Sequence, residues 1–130
     1  MRWYKYLSVL TLSLLFSLSV VAQDVFTVFP AALKSGNITA ISKNFDKRID
    51  ITIDDNSDNY SKDQAEVILK DFLGKFSTRD FTIIHKGASP NGAQYVVGNL
   101  KTNKGSYRTY IYVKTTDGVS YVQEIRFEKE

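Results

Sequence analysis

The sequence predicts an α+β domain in which helices pack on one face of a curved, mostly antiparallel sheet. Three observations carry that prediction. Gln94 to Phe127 holds three runs dense in β-branched and aromatic residues, separated by Asn103-Lys-Gly105 and Thr116-Asp-Gly118. Both gaps place a glycine where a tight hairpin wants a positive φ. Arg48 to Asp54 alternates strictly, with Ile49, Ile51 and Ile53 on one side and Asp50 and Thr52 on the other, the pattern of a half-buried strand. Ser61 to Phe76 carries apolar residues at helical spacing, and such a stripe must be buried against something.

The elements follow in chain order. Arg2 and Lys5 precede an apolar run from Leu7 to Val21, and Val20-Val-Ala22 supplies small residues at the positions a signal peptidase reads. Residues 1–22 are therefore read as a signal peptide and residues 23–130 as one domain, periplasmic or secreted. The apolar run is shorter than the roughly 20 residues that cross a bilayer, so no membrane span is expected after cleavage. The sequence has no cysteine, which excludes disulfides and a lipid-modified N-terminal cysteine and leaves an exported domain to be held by its core alone. Removing Arg2 and Lys5 with the leader leaves acidic and basic residues nearly balanced, and no polybasic run appears. Nucleic acid is thereby excluded as an expected partner.

In the remaining chain, Asp24 is expected to cap a helix from Val25 to about Leu33, which Pro30 kinks or limits to a turn. Gly36 suits the left-handed end of that helix. A second short helix is expected from Asn37 to Phe45, with Ile38, Ile41 and Phe45 at helical spacing. The strand from Arg48 follows, and Asp54 to Tyr60 reads as a polar turn. Ser61 with Gln64 forms a capping box, and Asp63 and Glu66 put negative charge in the first turn. Ala65, Ile68, Leu69, Phe72, Leu73 and Phe76 then make the apolar stripe. Phe81 to Lys86 is a further strand, and Gly87 to Gly92 is the turn into the three final strands. In the last of these, Val119, Tyr121, Gln123, Ile125 and Phe127 are read as the dry side, with Ser120, Glu124, Arg126 and Glu128 as the wet side.

Several segments carry a likeness in the right order: Ala32-Leu-Lys-Ser-Gly-Asn37, Tyr60 to Phe72, Ile84-His-Lys-Gly87, Tyr95-Val-Val-Gly-Asn-Leu100 and Ser106-Tyr-Arg-Thr-Tyr-Ile111. Over nearly the whole of residues 23–130 the chain resembles a family of small secreted bacterial proteins known as domain of unknown function 4783. The resemblance implies a cone-shaped fold similar to nuclear transport factor two and ketosteroid isomerase, with helices closing a curved sheet over a cavity. It implies no reaction and no cofactor.

Enzymes of that wider group resemble ketosteroid isomerase in holding a carboxylate base inside an apolar pocket. No Asp or Glu falls on the inward parity of a strand here, since Asp50, Glu124 and Glu128 all lie opposite the apolar rows. The inward polar residues are read as Gln123, Thr109, Tyr107 and Tyr121, which orient a ligand better than they move a proton. His85, the one histidine, shares parity with Phe81 and Ile83 and is read either as a strand-end residue hydrogen-bonded to backbone beside Gly87 or as pointing into the cavity mouth. The candidate ligand groups are thus His85, Tyr95, Tyr107 and Gln123. A single histidine excludes the usual imidazole-rich zinc sites. Asp54, Asn56 and Asp58 mimic the start of a calcium loop, but Asn59 and Ala65 replace its glycine and its bidentate glutamate, so no metal is expected. If Ile111 and Val113 face the helices, Arg108, Tyr110 and Tyr112 form a row on the other face, suited either to a protein contact, such as a homodimer through the sheet, or to cross-strand ring packing; the inverse parity puts Tyr110 and Tyr112 in the pocket. Two functions follow. One is a non-catalytic module that binds a small ligand or a partner protein; the other is a small isomerase- or hydrolase-like enzyme using His85.

Overall fold

A computed structural model describes residues 25–130; the leader and the Asp24 cap lie outside the described residues. Three helices, α1 (Val25–Ser35), α2 (Ile38–Ser42) and α3 (Lys62–Gly74), pack against one face of a curved six-stranded sheet. The strands are β1 (Phe45–Ile53), β2 (Asn56–Ser61), β3 (Arg79–Ala88), β4 (Ala93–Thr102), β5 (Gly105–Thr116) and β6 (Val119–Lys129). Their spatial order is β2-β1-β6-β5-β4-β3. All pairings are antiparallel except that of β1 with β6, where Ile51 sits beside Ile125 and Ile53 beside Phe127.

Helix α1 runs straight through Pro30. The missing hydrogen bond is outweighed by burial of Phe26, Phe29, Ala32 and Leu33 along one side. It ends at Gly36, whose φ of 74° is left-handed, and Asn37 N closes the turn onto Ala32 O at 2.9 Å. Helix α2 is shorter than its spacing suggests. Phe45 is the first residue of β1 and is buried from there, paired with Val122. Helix α3 starts at the expected capping box, with both Ser61–Gln64 hydrogen bonds formed. Ala65, Leu69, Phe72, Leu73 and Phe76 are buried and Ile68 partly so. Glu66 joins α3 to α2 by accepting from Thr39 Oγ1 at 2.9 Å and pairing with Lys70 at 3.1 Å. The Lys70 contact first, and Thr39 second, hold its carboxyl below the usual range.

The polar stretch after β1 is a strand and not merely a turn. Asp54, at φ 53°, and Asp55 make the turn, and the whole of β2 then pairs with β1 from Ile53–Asn56 to Arg48–Ser61. From Asn56 to Asn59 both faces of β2 are wet and only Tyr60 reaches the core, so its pairing rests on the ladder and on polar cross-strand contacts, Arg48 with Asn59, Asp50 with Asn59 and Thr52 with Ser57.

Arg79, the first residue of β3, donates from Nη1 to Leu73 O (3.1 Å) and Phe76 O (2.7 Å). It thereby caps the carbonyl end of α3, where a cation is favoured, and its guanidinium lies against Gly36. Arg79→Ala is expected to lower the unfolding free energy by about 1.5–3 kcal/mol, as loss of charged hydrogen bonds does, measured as a lower urea midpoint with an unchanged slope.

Candidate functional site

The sheet has two unlike faces. On the helix side, β1 presents Ile49 and Ile51, β6 presents Val122, Ile125 and Phe127, and β5 presents Tyr107, Thr109, Ile111 and Val113, all buried. These join Phe29, Leu33, Ile41, Phe45, Leu69, Phe72 and others in one apolar cluster. Among the described residues, these side chains form one contiguous core between helices and sheet, where the resemblance implies a cavity. An opening of about 310 Å³ remains at one end, bordered by Phe26 of α1 and by Lys86, Gly87, Ala88 and Gln94 of β3 and β4. The buried polar side chains among the described residues are Ser42 and Thr109. Neither is an acid or a base that could serve the chemistry of a buried carboxylate.

Of the four residues read as pocket groups, His85 and Tyr95 meet, but on the face away from the helices, and neither Tyr107 nor Gln123 joins them. Tyr107 does face inward, but as a core residue, with its ring 5.3 Å from Phe72 and 5.7 Å from Phe76. His85 is exposed, because a bulge between Ile83 and His85 leaves Ile84 unpaired and reverses the parity of the strand. Gln123 is displaced for the same reason. Tyr112 pairs with Glu124 and Val113 with Val122, so Gln123 is the extra residue and its amide donates to Asp46 Oδ2 at 3.2 Å. The dry row of β6 is accordingly Val122, Ile125 and Phe127, while Val119 is 49% exposed. Tyr95 turns outward because its neighbour Val96 takes the core position.

The outward face is where these side chains gather. Tyr95 pairs with Tyr112, and Tyr110 with Val97 on one side and Arg126 on the other. Aromatic and cationic groups form a ladder across four strands. The His85 and Tyr95 rings are 5.8 Å apart, Tyr95 stacks on Tyr110 at 6.0 Å, and the Arg126 guanidinium lies 5.9 Å from the Tyr110 ring centre. Arg126 is held in turn by Glu124 at 2.7 Å and Glu128 at 4.0 Å. A long contact of 3.5 Å joins the Tyr95 hydroxyl to His85 Nε2. Arg108 stands beside the ladder, paired with Glu130 at 3.3 Å. A polar hollow of about 330 Å³ flanks it, lined by Asp50, Thr52, Ser57, Asn59, Glu124 and Arg126 among others. Tyr110 and Tyr112 are half-buried and Arg108 is exposed, so the row expected opposite Ile111 and Val113 does lie on the face away from the helices. Arg126 was legible as a wet residue, but not as the end of a ring stack.

Burial first, and the Glu124 carboxylate second, raise the Tyr110 phenol above its ordinary value. A phenol whose folded pKa exceeds its unfolded value stabilises the fold below the unfolded pKa of about 10. That contribution is lost as pH rises through the folded value. Tyr110→Phe should therefore remove a phenolate absorbance that develops above the ordinary tyrosine value in an alkaline titration and flatten the alkaline loss of stability. An unchanged titration curve would contradict the placement of Tyr110.

His85, Asp54 and Asp58 take no part in a metal cluster: among the described residues no group of three or more histidines or carboxylates is placed to hold an ion. Asp54 Oδ1 instead accepts from Lys129 N at 2.9 Å.

The fold is that of nuclear transport factor two-like proteins. No curated protein matches the chain. Among solved structures, it is similar to a DUF4783 family protein from Bacteroides uniformis (TM-score 0.76, 23% identity, covering 82% of this chain and 98% of that one). It is also similar to one from Bacteroides ovatus (0.74, 23%, covering 79% and 93%). An NTF2-like protein of unknown function from Cytophaga hutchinsonii shares the fold at 10% identity, with a TM-score of 0.59 and coverage of 82% and 88%. The model of the domain of unknown function DUF4783 matches residues 27–128, and the chain belongs to that family.

Proposed function

We propose that this protein is a non-catalytic binding module that holds a partner protein on the open face of its sheet, and that a second copy of the chain is the first partner to test. The ladder of His85, Tyr95, Tyr110 and Arg126, with Arg108 and Tyr112 beside it, carries this reading. Tyrosine and arginine are the residues most enriched at the energetic centres of protein contacts. Here they stand together on a face that no described helix covers, braced by one another so that little side-chain freedom remains to be lost on binding. The contiguous core supports a surface mode over capture of a small molecule beneath the helices. The His85 imidazole has the Tyr95 hydroxyl as its described partner and stands in the open, which speaks against a buried proton-transfer pair. Export, expected from the leader, would put the partner outside the cytoplasm.

Sedimentation velocity over a dilution series, for the native chain and for Tyr110→Ala with Arg126→Ala, tests the proposal. The native protein should self-associate reversibly and the double variant should stay monomeric with its melting transition retained. A native monomer at every concentration removes the second copy as partner. Equal recovery of partner proteins by native and double-variant baits would remove the face itself.

A further inference from the structure

Asn91 lies in the loop between β3 and β4, exposed to solvent and followed by Gly92. We infer that Asn91 is a site of spontaneous backbone-assisted deamidation in the folded protein. Two features of the loop carry this. Asn91 Oδ1 accepts a hydrogen bond from Ala93 N at 3.4 Å, which turns the carboxamide back along the chain across the peptide whose nitrogen would attack it. Gly92 has no side chain to obstruct that approach, and its N–H is held by a long bond to Ser89 O at 3.3 Å. Other asparagines lack this combination. Asn59 is tied to Arg48 and Asp50 and followed by Tyr60; Asn103 accepts from Ser77 N at 3.0 Å and precedes Lys104.

In the reaction the Gly92 nitrogen gives up its proton and bonds to Cγ of Asn91, and the bond from Cγ to Nδ2 breaks, releasing ammonia. Water then opens the five-membered imide at either carbonyl, leaving an aspartate or an isoaspartate. The first product adds a negative charge. The second also lengthens the main chain within a turn that is pinned by Ser89 N to Ala93 O (2.7 Å) and by Thr115 N to Gly92 O (3.1 Å). The change falls beside the opening bordered by Gly87 and Gln94.

Incubation at mildly alkaline pH, followed by peptide mapping and mass spectrometry, tests the inference. The native chain, the chain in urea and Asn91→Gln would be compared. The folded protein should convert within about tenfold of the rate in urea, since the loop is exposed and its carboxamide is already turned back along the chain. The product should map to the peptide holding Asn91, and Asn91→Gln should lose that signal while melting as the native protein does. Folded conversion slower than that margin, or a product mapping to another asparagine, would overturn it.

Discussion

Phe72→Ala is expected to cost about 3–5 kcal/mol, the range for removing a buried phenylalanine from a packed core. The Phe72 side chain is the centre of an aromatic group: Phe76 and Tyr107 meet it edge-on at 5.3 Å each, and Phe127 lies tilted at 4.8 Å. It joins the roof helix α3 to both β5 and β6, so the gap left by alanine is walled by three elements and cannot close by moving one. A domain of this size has about 5–15 kcal/mol of stability in total, and the substitution should consume a large share of it. Thermal unfolding should show a fall in Tm well beyond about 10 °C. Val67→Ala, on the same helix but 65% exposed, should change stability by no more than about 0.5 kcal/mol. Similar losses for the two variants would mean that α3 does not cover the sheet.

Gly98→Ala is expected to destabilise by about 1–3 kcal/mol, as overpacking does, although it adds a single methyl group. That carbon would stand 2.3 Å from Phe81 Cζ, 2.7 Å from Phe81 Cε2 and 2.9 Å from the main-chain oxygen of Thr82. The Phe81 ring can turn only at the expense of its own burial, and the Thr82 carbonyl belongs to the strand backbone. The adjacent edge strand β3 must therefore lift away from β4. Gly74→Ala is the matched control. Nothing lies within 4 Å of its added carbon, and it ends a helix, so it should be neutral or stabilising by up to about 1 kcal/mol. Urea melts of the two variants would decide the matter, and a Gly98→Ala protein as stable as the native one would refute the close approach. Gly87 is a softer case, because the obstruction there is the Tyr95 ring, which is half-exposed and can swing aside, breaking its stack on Tyr110.

What was legible in the sequence was whatever has one wet side and one dry side. β1 and α3 announced themselves by period, and Ser61 with Gln64 fixed the start of α3 almost to the residue. β2 was not legible because its residues from Asn56 to Asn59 face water on both sides, so no alternation marks it. Burial overrode two local signals, carrying α1 through Pro30 and taking Phe45 from a helix into a strand. The candidate site suffered most from bulges. One unpaired residue at Ile84 and one at Gln123 reverse side-chain parity, and nothing in the composition of either strand betrays them. They moved His85 to the open face and Gln123 to the margin. Tyr95 was read into the pocket although Tyr95-Val-Val97 is apolar on both parities, and it is Val96 that takes the core position. Tyr110 and Tyr112 were read as facing away from the helices with the inverse parity left open, and the burial of Ile111 and Val113 on the same strand decides it.

The parallel contact of β1 with β6 has a consequence for how the molecule is made. Ile51 and Ile125 are far apart in sequence, so this inner seam of the sheet is also its most costly loop to close. The hairpins β3-β4 and β4-β5 can assemble as soon as they leave the ribosome. The first strand has to wait for the last, its isoleucines open to unwanted company in the meantime. Synthesis should therefore reach the final residues before the amino-terminal third becomes protected from proteases, and loss of the last strand should leave an aggregating species instead of a smaller domain.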